Sequence, residues 1–215
     1  MTVVDDVATR VALLLRSRDR VLVAIDGPDA AGKTTFADAL AASIDAPVAR
    51  ASIDGFHNPR EVRLQSGSLS PEGYYLDSFD YDSLAERLLD PFADGCPTVS
   101  AQTYDWRVED AADPGVIAVP ATAVLVLDGV FLLRSGLRDR WTTSVYLHVA
   151  PEETLRRASV RDLADFGSLD EVVRRYTQRY LPGQALYRDD ADPVAVADVV
   201  IDNTDPLAPI VVPRA

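Results

Sequence analysis

The hydrophobic positions along the chain form short apolar runs that alternate with longer stretches of helical spacing. Short, continuous, β-branched runs are typical of strands buried in a parallel sheet. They predict strands at residues 21–25, 47–53, 123–127, 144–149 and 197–201. Apolar residues three or four positions apart predict amphipathic helices. These fall at residues 3–16, 34–44, 81–89, 151–163 and 169–180. Strands alternating with helices predict an α/β fold, a parallel sheet with helices on both faces.

Two segments interrupt this alternation. Residues 55–80 are rich in Gly, Ser, Pro and Tyr, which predicts a long functional loop or a small excursion. Residues 97–119 hold short strand-like pieces around AADPG, which predicts a hairpin. The helix at 81–89 is expected to end before Pro91, because proline interrupts helical hydrogen bonding. A chain of 215 residues without repeats or linkers is expected to form a single domain, with both segments on its substrate side.

Composition and charge narrow the function classes. The chain carries 34 acidic residues against 21 lysines and arginines, a net charge of -13, which argues against a broad basic surface for nucleic acid. No apolar run approaches the ~18 residues of a membrane-spanning helix, and the N-terminal stretch lacks the basic start of a signal peptide. The single cysteine, Cys96, excludes an internal disulfide framework. We therefore expect a cytoplasmic protein without nucleic-acid or membrane partners; oligomeric state leaves no signal in the sequence.

The strongest motif joins strand 21–25 to helix 34–44. It reads GPDAAGKT at residues 27–34, the G-x-x-x-x-G-K-T pattern of a phosphate-binding loop. In such a loop, backbone N–H groups surround phosphate oxygens, the lysine reaches the β- and γ-phosphates, and the threonine hydroxyl ligates Mg²⁺. Lys33 is the only lysine in the chain. The motif predicts ATP binding by Gly27, Pro28, Asp29, Ala30, Ala31, Gly32, Lys33, Thr34 and Thr35; the alternative is a glycine-rich turn with an incidental lysine.

Missing motifs narrow the class of phosphate-loop protein. A GTPase reads guanine with Asn-Lys-x-Asp, and no lysine remains to build that motif. A protein kinase needs a strand lysine and an H-R-D loop, and both are absent from the sequence. The dinucleotide fingerprint G-x-G-x-x-G is absent as well.

Three further segments carry a family resemblance: SIDGFH at 52–57, DGVFL at 128–132 and RRASVRD at 156–162. In this order after the phosphate loop, they make residues 21–203 resemble the uridine kinase and phosphoribulokinase family, which includes a pantothenate kinase branch. The resemblance implies a P-loop NTPase-type fold. It also implies ATP- and Mg²⁺-dependent phosphorylation of a small-molecule acceptor with a free hydroxyl.

The resemblance also implies residue roles. Asp54 would be the base, and Asp128 would join Thr34 at the metal, although the family usually has Glu at that position. Arg157 and Arg161 would contact ATP from a lid at residues 151–180, with Arg161 catalytic beside Lys33 and Asp54. Because Asp54 ends the strand after the phosphate-loop helix, we expect that strand to lie beside the loop strand. The alternatives are plain turn dipeptides at Asp54-Gly55 and Asp128-Gly129, and a solvated helix face for Arg156, Arg157 and Arg161.

The acceptor side is less defined. Tyr104-Asp105-Trp106 resembles the Tyr-Asp-aromatic segment of uridine kinases, but Arg107-Val108-Glu109-Asp110 follows it and lacks their histidine. We expect weak pyrimidine discrimination as a result. The expected substrate-binding residues are Asp54, Phe56, His57, Tyr104 and Arg107. A uridine kinase-like enzyme, a kinase for a pantothenate-like or sugar acceptor, and a non-catalytic ATP-binding regulator all remain open.

Overall fold

The computed structural model describes residues 2–213 and has a mostly parallel central sheet. Its strands are β1 (Arg20–Asp26), β2 (Val48–Ser52), β3 (Thr98–Ser100), β4 (Tyr104–Asp105), β5 (Asp110–Ala111), β6 (Val116–Ala118), β7 (Ala123–Gly129), β8 (Thr143–His148), β9 (Val199–Asp202) and β10 (Ile210–Val211). The central sheet has the order β10-β9-β8-β1-β7-β2. All neighbours pair in parallel except β10, which runs antiparallel to β9. The predicted α/β fold class is confirmed.

The helices cover both faces of this sheet. They are α1 (Val3–Leu15), α2 (Lys33–Ser43), α3 (Arg60–Arg63), α4 (Pro71–Asp77), α5 (Tyr81–Leu84), α6 (Asp90–Ala93), α7 (Pro151–Arg161), α8 (Leu163–Phe166), α9 (Leu169–Arg175), α10 (Leu181–Ala191) and α11 (Pro193–Val196). Short 3₁₀ turns lie at Ile53–Phe56 and Arg138–Arg140, and π turns at Ala85–Leu89 and Tyr176–Tyr180. Within residues 2–213, no helix is long and apolar enough to cross a membrane.

Alternating side chains of the central strands build two separate cores. Val21, Val23 and Ile25 of β1 pack on the face covered by α1 and α2. Leu22 and Ala24 point to the opposite face, toward the aromatic residues of α4 and α10. Strands β1 and β7 are buried almost throughout. A strand that is apolar on both faces belongs in the middle of a parallel sheet, so these two runs fix the centre of the fold.

The expected position of β2 is wrong. Strand β7 lies between β1 and β2, so the strand that leads to Asp54 is at the edge of the sheet. Along β2, buried and half-buried residues alternate, and Arg50 sits in its middle. A strand with a charged side chain tolerates an edge position better than β7, which is apolar on both faces.

Two of the predicted helices are longer than expected and continue through a proline, including the one expected to end before Pro91. The helix at 81–89 runs on through Pro91 to Ala93, and the helix at 169–180 runs on through Pro182 to Ala191. In each case a π turn ends two residues before the proline. The wider i to i+5 hydrogen bonding of a π turn accommodates a residue that has no N–H.

The two interrupting segments contain more structure than the sequence indicates. Residues 55–80 include α3 and α4, and one face of α4 packs against α10. Residues 97–119 form two small antiparallel pairs, β3 with β6 and β4 with β5. Residues 55–80 and the β4–β5 pair lie beyond the carboxyl ends of the parallel strands, where open α/β sheets bind ligands. The β3–β6 pair lies instead near Arg20 at the amino end of β1, whose guanidinium donates to the carbonyl oxygens of Cys96 and Val119.

Candidate nucleotide and acceptor site

A cleft with a volume of about 1050 Å³ opens at the carboxyl ends of β1, β7 and β2. Its walls are the phosphate loop, the segment after β2, the loop before β5 and the helices after β8. Eight lysine or arginine side chains line it against six aspartates or glutamates, in a chain whose net charge is -13. The acidic protein therefore concentrates positive charge at this cleft, as a site for a phosphate-rich ligand requires.

The phosphate loop leads directly from β1 into α2. A Cβ atom at Gly27 would lie 2.6 Å from the carbonyl oxygen of Leu147, so only glycine fits there. Gly32 adopts a left-handed conformation with φ of +86°, and Ala30 does the same at +54°. Residues 29–35 line the cleft, while Gly27 and Pro28 are buried beneath it. The loop thus presents its backbone to the cleft.

Lys33 forms no ion pair with a carboxylate in the described part of the chain. Its Nζ atom donates a hydrogen bond to the Pro28 carbonyl oxygen at 2.7 Å, which folds the side chain over the loop. Burial lowers the pKa of Lys33, and the nearby carboxylates, chiefly Asp29 and Asp26, act against that shift. An ammonium held by one carbonyl keeps donors free for phosphate oxygens.

Two carboxylates brace the loop from below. Asp29 accepts hydrogen bonds from the Tyr74 hydroxyl at 2.6 Å and from Gln184 Nε2 at 2.5 Å. Asp26 is fully buried and accepts from the Gly27 N–H at 2.7 Å and from the Tyr187 hydroxyl. Burial raises the pKa of Asp26 to about 6, against the hydrogen bonds that favour its ionised form. These contacts fix the loop to α4 and α10.

Asp128 and Thr34, the two residues expected at the metal, are hydrogen-bonded to each other. The Thr34 hydroxyl donates to Asp128 Oδ2 at 2.7 Å, and Arg50 Nη2 donates to Asp128 Oδ1 at 2.9 Å. No three His, Cys, Asp or Glu side chains gather as a metal cluster in the described part of the chain. Mg²⁺ in phosphate sites is usually held by one or two protein oxygens, substrate phosphates and water. The Thr34–Asp128 pair fits that donor set.

The segment after β2 splits its predicted substrate residues between cleft and core. Asp54 is exposed on the cleft wall, and the half-buried His57 lines the wall beside it. His57 Nδ1 contacts the Asp54 carbonyl oxygen at 2.9 Å, its ring packs on Phe79, and burial lowers its pKa. Phe56 is fully buried in the core and does not line the cleft. The short 3₁₀ turn at Ile53–Phe56 sends neighbouring side chains in different directions, which the sequence does not reveal.

The predicted aromatic segment is only partly in the cleft: Trp106 and the following Arg107 line it, whereas Tyr104 lines an adjoining pocket. The Tyr104 hydroxyl donates to Glu109 Oε2 at 3.1 Å, and Arg63 Nη2 donates to both Glu109 oxygens, at 2.6 and 2.8 Å. The Arg107 guanidinium lies 4.7 Å from the ring centre of Trp106 and is exposed. Glu109 therefore accepts the hydrogen bond of the Tyr104 hydroxyl and neutralises the charge of Arg63.

The three arginines of α7 have three different surroundings. Arg156 is exposed and pairs with Glu153, so the solvated-face interpretation holds for it. Arg157 donates to the carbonyl oxygens of Ala30 at 3.3 Å and Asn203 at 2.7 Å, which ties α7 to the phosphate loop. Arg161 lines the cleft, half-exposed, and pairs with Asp162. Arg157 thus contacts the phosphate loop directly, and Arg161 faces the same cleft without contacting the loop.

The chain is similar in sequence to curated pantothenate kinases. It is 31% identical over 121 residues to the pantothenate kinase of Enterobacter sp. (strain 638), a match that covers 54% of this chain and 38% of that protein. The chain spans less than half the length of the curated relatives it matches first. No protein-family model matches the chain.

Solved structures share the fold over nearly the whole chain. A possible uridine kinase from Bacillus stearothermophilus has a TM-score of 0.72 at 20% identity, covering 92% of this chain and 96% of that one. The D-glycerate 3-kinase of Cryptococcus neoformans has a TM-score of 0.64 at 15% identity, covering 89% and 90%. The resemblance to the uridine kinase and phosphoribulokinase family is confirmed. At these identities the structural likeness shows the P-loop kinase fold alone.

Several residues in or behind this cleft were not predicted from the sequence. They are Arg50, Arg63, Glu109, Arg179 and the braces of Asp29. One signal was available, since Arg50 is the single charged residue of the predicted strand at 47–53. The others lie on short helices and loops whose position depends on long-range packing.

Proposed function

We propose that the protein is an ATP-dependent kinase that transfers the γ-phosphoryl group to a hydroxyl of a small metabolite. The observation that carries this proposal is that a phosphate loop and an exposed carboxylate share one cleft. Lys33 and Thr34 line the nucleotide end, and Asp54 lines the same cleft from the segment after β2. Phosphoryl transfer is mainly positioning and charge neutralisation, and this arrangement supplies both.

The proposed roles follow from the contacts of each side chain. The loop amides, Lys33 and Arg161 neutralise charge on the transferred group. Asp54, which has no ion-pair partner among residues 2–213, orients the acceptor hydroxyl and receives its proton as the P–O bond forms. Thr34 and Asp128 would hold Mg²⁺, which when bound supplies further charge neutralisation at the phosphates.

The acceptor class separates the finer candidates. A uridine kinase-like acceptor has weak support, because Glu109 stands in the segment where uridine kinases carry their histidine, and it engages Tyr104 and Arg63. A pantothenate-like acceptor is supported by the curated relatives, which are pantothenate kinases. A sugar acceptor has no contact in its favour among the residues described.

The proposal is tested by ADP formation with Mg²⁺-ATP and a panel of acceptors that includes uridine, pantothenate and D-glycerate. Stimulation by an acceptor, with a phosphorylated product detected by ³¹P NMR, supports the kinase. Lys33→Ala serves as the inactive control. Tight ATP binding without stimulation by any acceptor would instead identify a non-catalytic ATP-binding regulator.

A further inference from the structure

Arg179 is a buried cation that pairs with no carboxylate among residues 2–213. It lies on the π turn before α10, and its residue surface is only 5% exposed. Its Nη1 atom donates to the carbonyl oxygens of Gly67, Ser68 and Ser70 at 3.3–3.4 Å. These contacts are long for N–H···O hydrogen bonds. Burial lowers the pKa of Arg179, which reflects the cost of enclosing its charge.

The other basic side chains of the cleft are satisfied in different ways. Five arginines pair with carboxylates: Arg60, Arg63, Arg157, Arg161 and Arg175. Arg107 lacks such a partner but is exposed to water. Lys33 and Arg179 are the enclosed cations in the described cleft that no carboxylate pairs with. The proposed function assigns Lys33 to the triphosphate of ATP. It assigns no ligand group to Arg179.

The position of Arg179 associates it with the acceptor end of the cleft. All three of its carbonyl partners belong to the segment between β2 and α5, which also carries Asp54, His57 and Arg63. Its guanidinium also lies over the Tyr74 ring, 5.6 Å from its centre. A group bound to Arg179 would therefore sit on the wall that holds the proposed base.

The free edge of the guanidinium indicates the shape of its ligand. Nη1 is the one nitrogen of the guanidinium that donates to these carbonyl oxygens. Nε and Nη2 have no protein acceptor among residues 2–213. Two parallel N–H donors match the two oxygens of a carboxylate. The charge of one guanidinium also balances one carboxylate, whereas a phosphate ester would bring about twice that charge.

We infer that Arg179 binds a carboxylate of the acceptor, so that the phosphorylated metabolite is a hydroxy acid. This inference rests on the proposed function, because it names the acceptor of the same cleft. The hydroxyl of the acid lies toward Asp54, and its carboxylate pairs with the Nε and Nη2 edge of Arg179. Neutral acceptors leave the buried charge unpaired and bind more weakly.

Binding is measured by calorimetry in the presence of a non-hydrolysable ATP analogue, so that it is independent of turnover. The probes are short hydroxycarboxylates, including D-glycerate and pantothenate, their neutral amides, and glycerol 3-phosphate. The wild-type protein is expected to bind at least one acid roughly 10–100-fold more tightly than its amide. Arg179→Gln is expected to abolish that preference and leave the affinity for the ATP analogue unchanged. Arg174→Gln, on an exposed face of the preceding helix, is the matched control and is expected to keep the preference.

The outcomes distinguish this inference from the kinase proposal. Acids that bind no better than amides, an acid preference that survives Arg179→Gln, or tighter binding of glycerol 3-phosphate would each overturn the carboxylate assignment. If Arg179→Gln does not fold, the acid–amide comparison in the wild type and in Arg179→Lys provides the same test. The kinase proposal fails separately, when no acceptor, charged or neutral, stimulates ADP formation.

Discussion

Arg50 is expected to hold the Asp128 side chain in its inward position. Its guanidinium donates to Asp128 Oδ1 at 2.9 Å and to the Val126 carbonyl oxygen at 2.8 Å. The Asp128 side chain is 3% exposed and that of Arg50 is 24% exposed. Removing one partner of a fully buried pair costs about 3–5 kcal/mol. Because Arg50 remains partly in water, we expect Arg50→Met to lower the free energy of unfolding by about 2–4 kcal/mol.

A double-mutant cycle with Asp128→Asn, followed by urea unfolding, isolates the pair. We expect a coupling energy of about 2–3 kcal/mol between Arg50 and Asp128. The pair of Arg10 and Asp198 joins at 3.0 Å with side chains 43% and 38% exposed, so its coupling is expected to stay below about 1 kcal/mol. Arg50→Met is also expected to raise the Mg²⁺ concentration needed for half-maximal turnover. Equal coupling energies for the two pairs would refute the assigned role of Arg50.

Three other predictions concern the loop and the lid. Lys33→Ala is expected to lower kcat at least about 10²-fold, because it removes the ammonium of the phosphate loop. Lys33→Arg is expected to fail as well, because the larger planar guanidinium cannot occupy the space of the compact ammonium. Near-normal steady-state activity in either variant would contradict the phosphate-loop assignment. Arg161→Ala is expected to lower kcat more than it weakens ATP binding, because lid contacts form on closure. Arg156→Ala is the control and is expected to keep the kcat of the wild type. If both variants keep the wild-type kcat, Arg161 is only a surface residue. Since the pKa of Asp26 is raised from 3.8 to about 6, the folded state retains a proton that the unfolded chain has released, and stability falls as pH rises through this window. Urea unfolding should show the wild type losing up to about 3 kcal/mol relative to Asp26→Asn between about pH 4 and pH 7, and parallel profiles would contradict the assignment.

The strands at the centre of the fold were predictable, because a short and continuously apolar run indicates a buried strand. The runs at β1 and β7 are apolar at every position, and only a buried parallel strand fits such a pattern. The phosphate loop was equally predictable, because Gly27, Gly32 and Lys33 are each required by local geometry or charge. These features depend on neighbours in the sequence, so the sequence specifies them directly.

Features that depend on distant neighbours were not predictable. Strand β7 lies between β1 and β2, although β2 follows β1 in the sequence. Burial of the wholly apolar run of β7 at the centre of the sheet outweighs the tendency of successive strands to be neighbours. Pro91 was expected to end a helix, but a π turn accommodates it. Phe56 and His57 are adjacent, yet one faces the core and the other lines the cleft. The pairing of Glu109 with Arg63 joins two separate excursions, which no local pattern encodes.

Asp54 is proposed to activate the acceptor hydroxyl for transfer of the γ-phosphoryl group within this cleft. The most direct measurement compares acceptor-stimulated ADP formation by the wild type and Asp54→Asn, with ATP affinity measured in parallel. Asparagine keeps the size and hydrogen bonding of the side chain but cannot receive the proton. We expect kcat to fall by about 10²–10⁴-fold while ATP affinity is unchanged or slightly higher. Retained turnover together with a collapse of ATP or Mg²⁺ binding would contradict this expectation and make Asp128 the better candidate for the base.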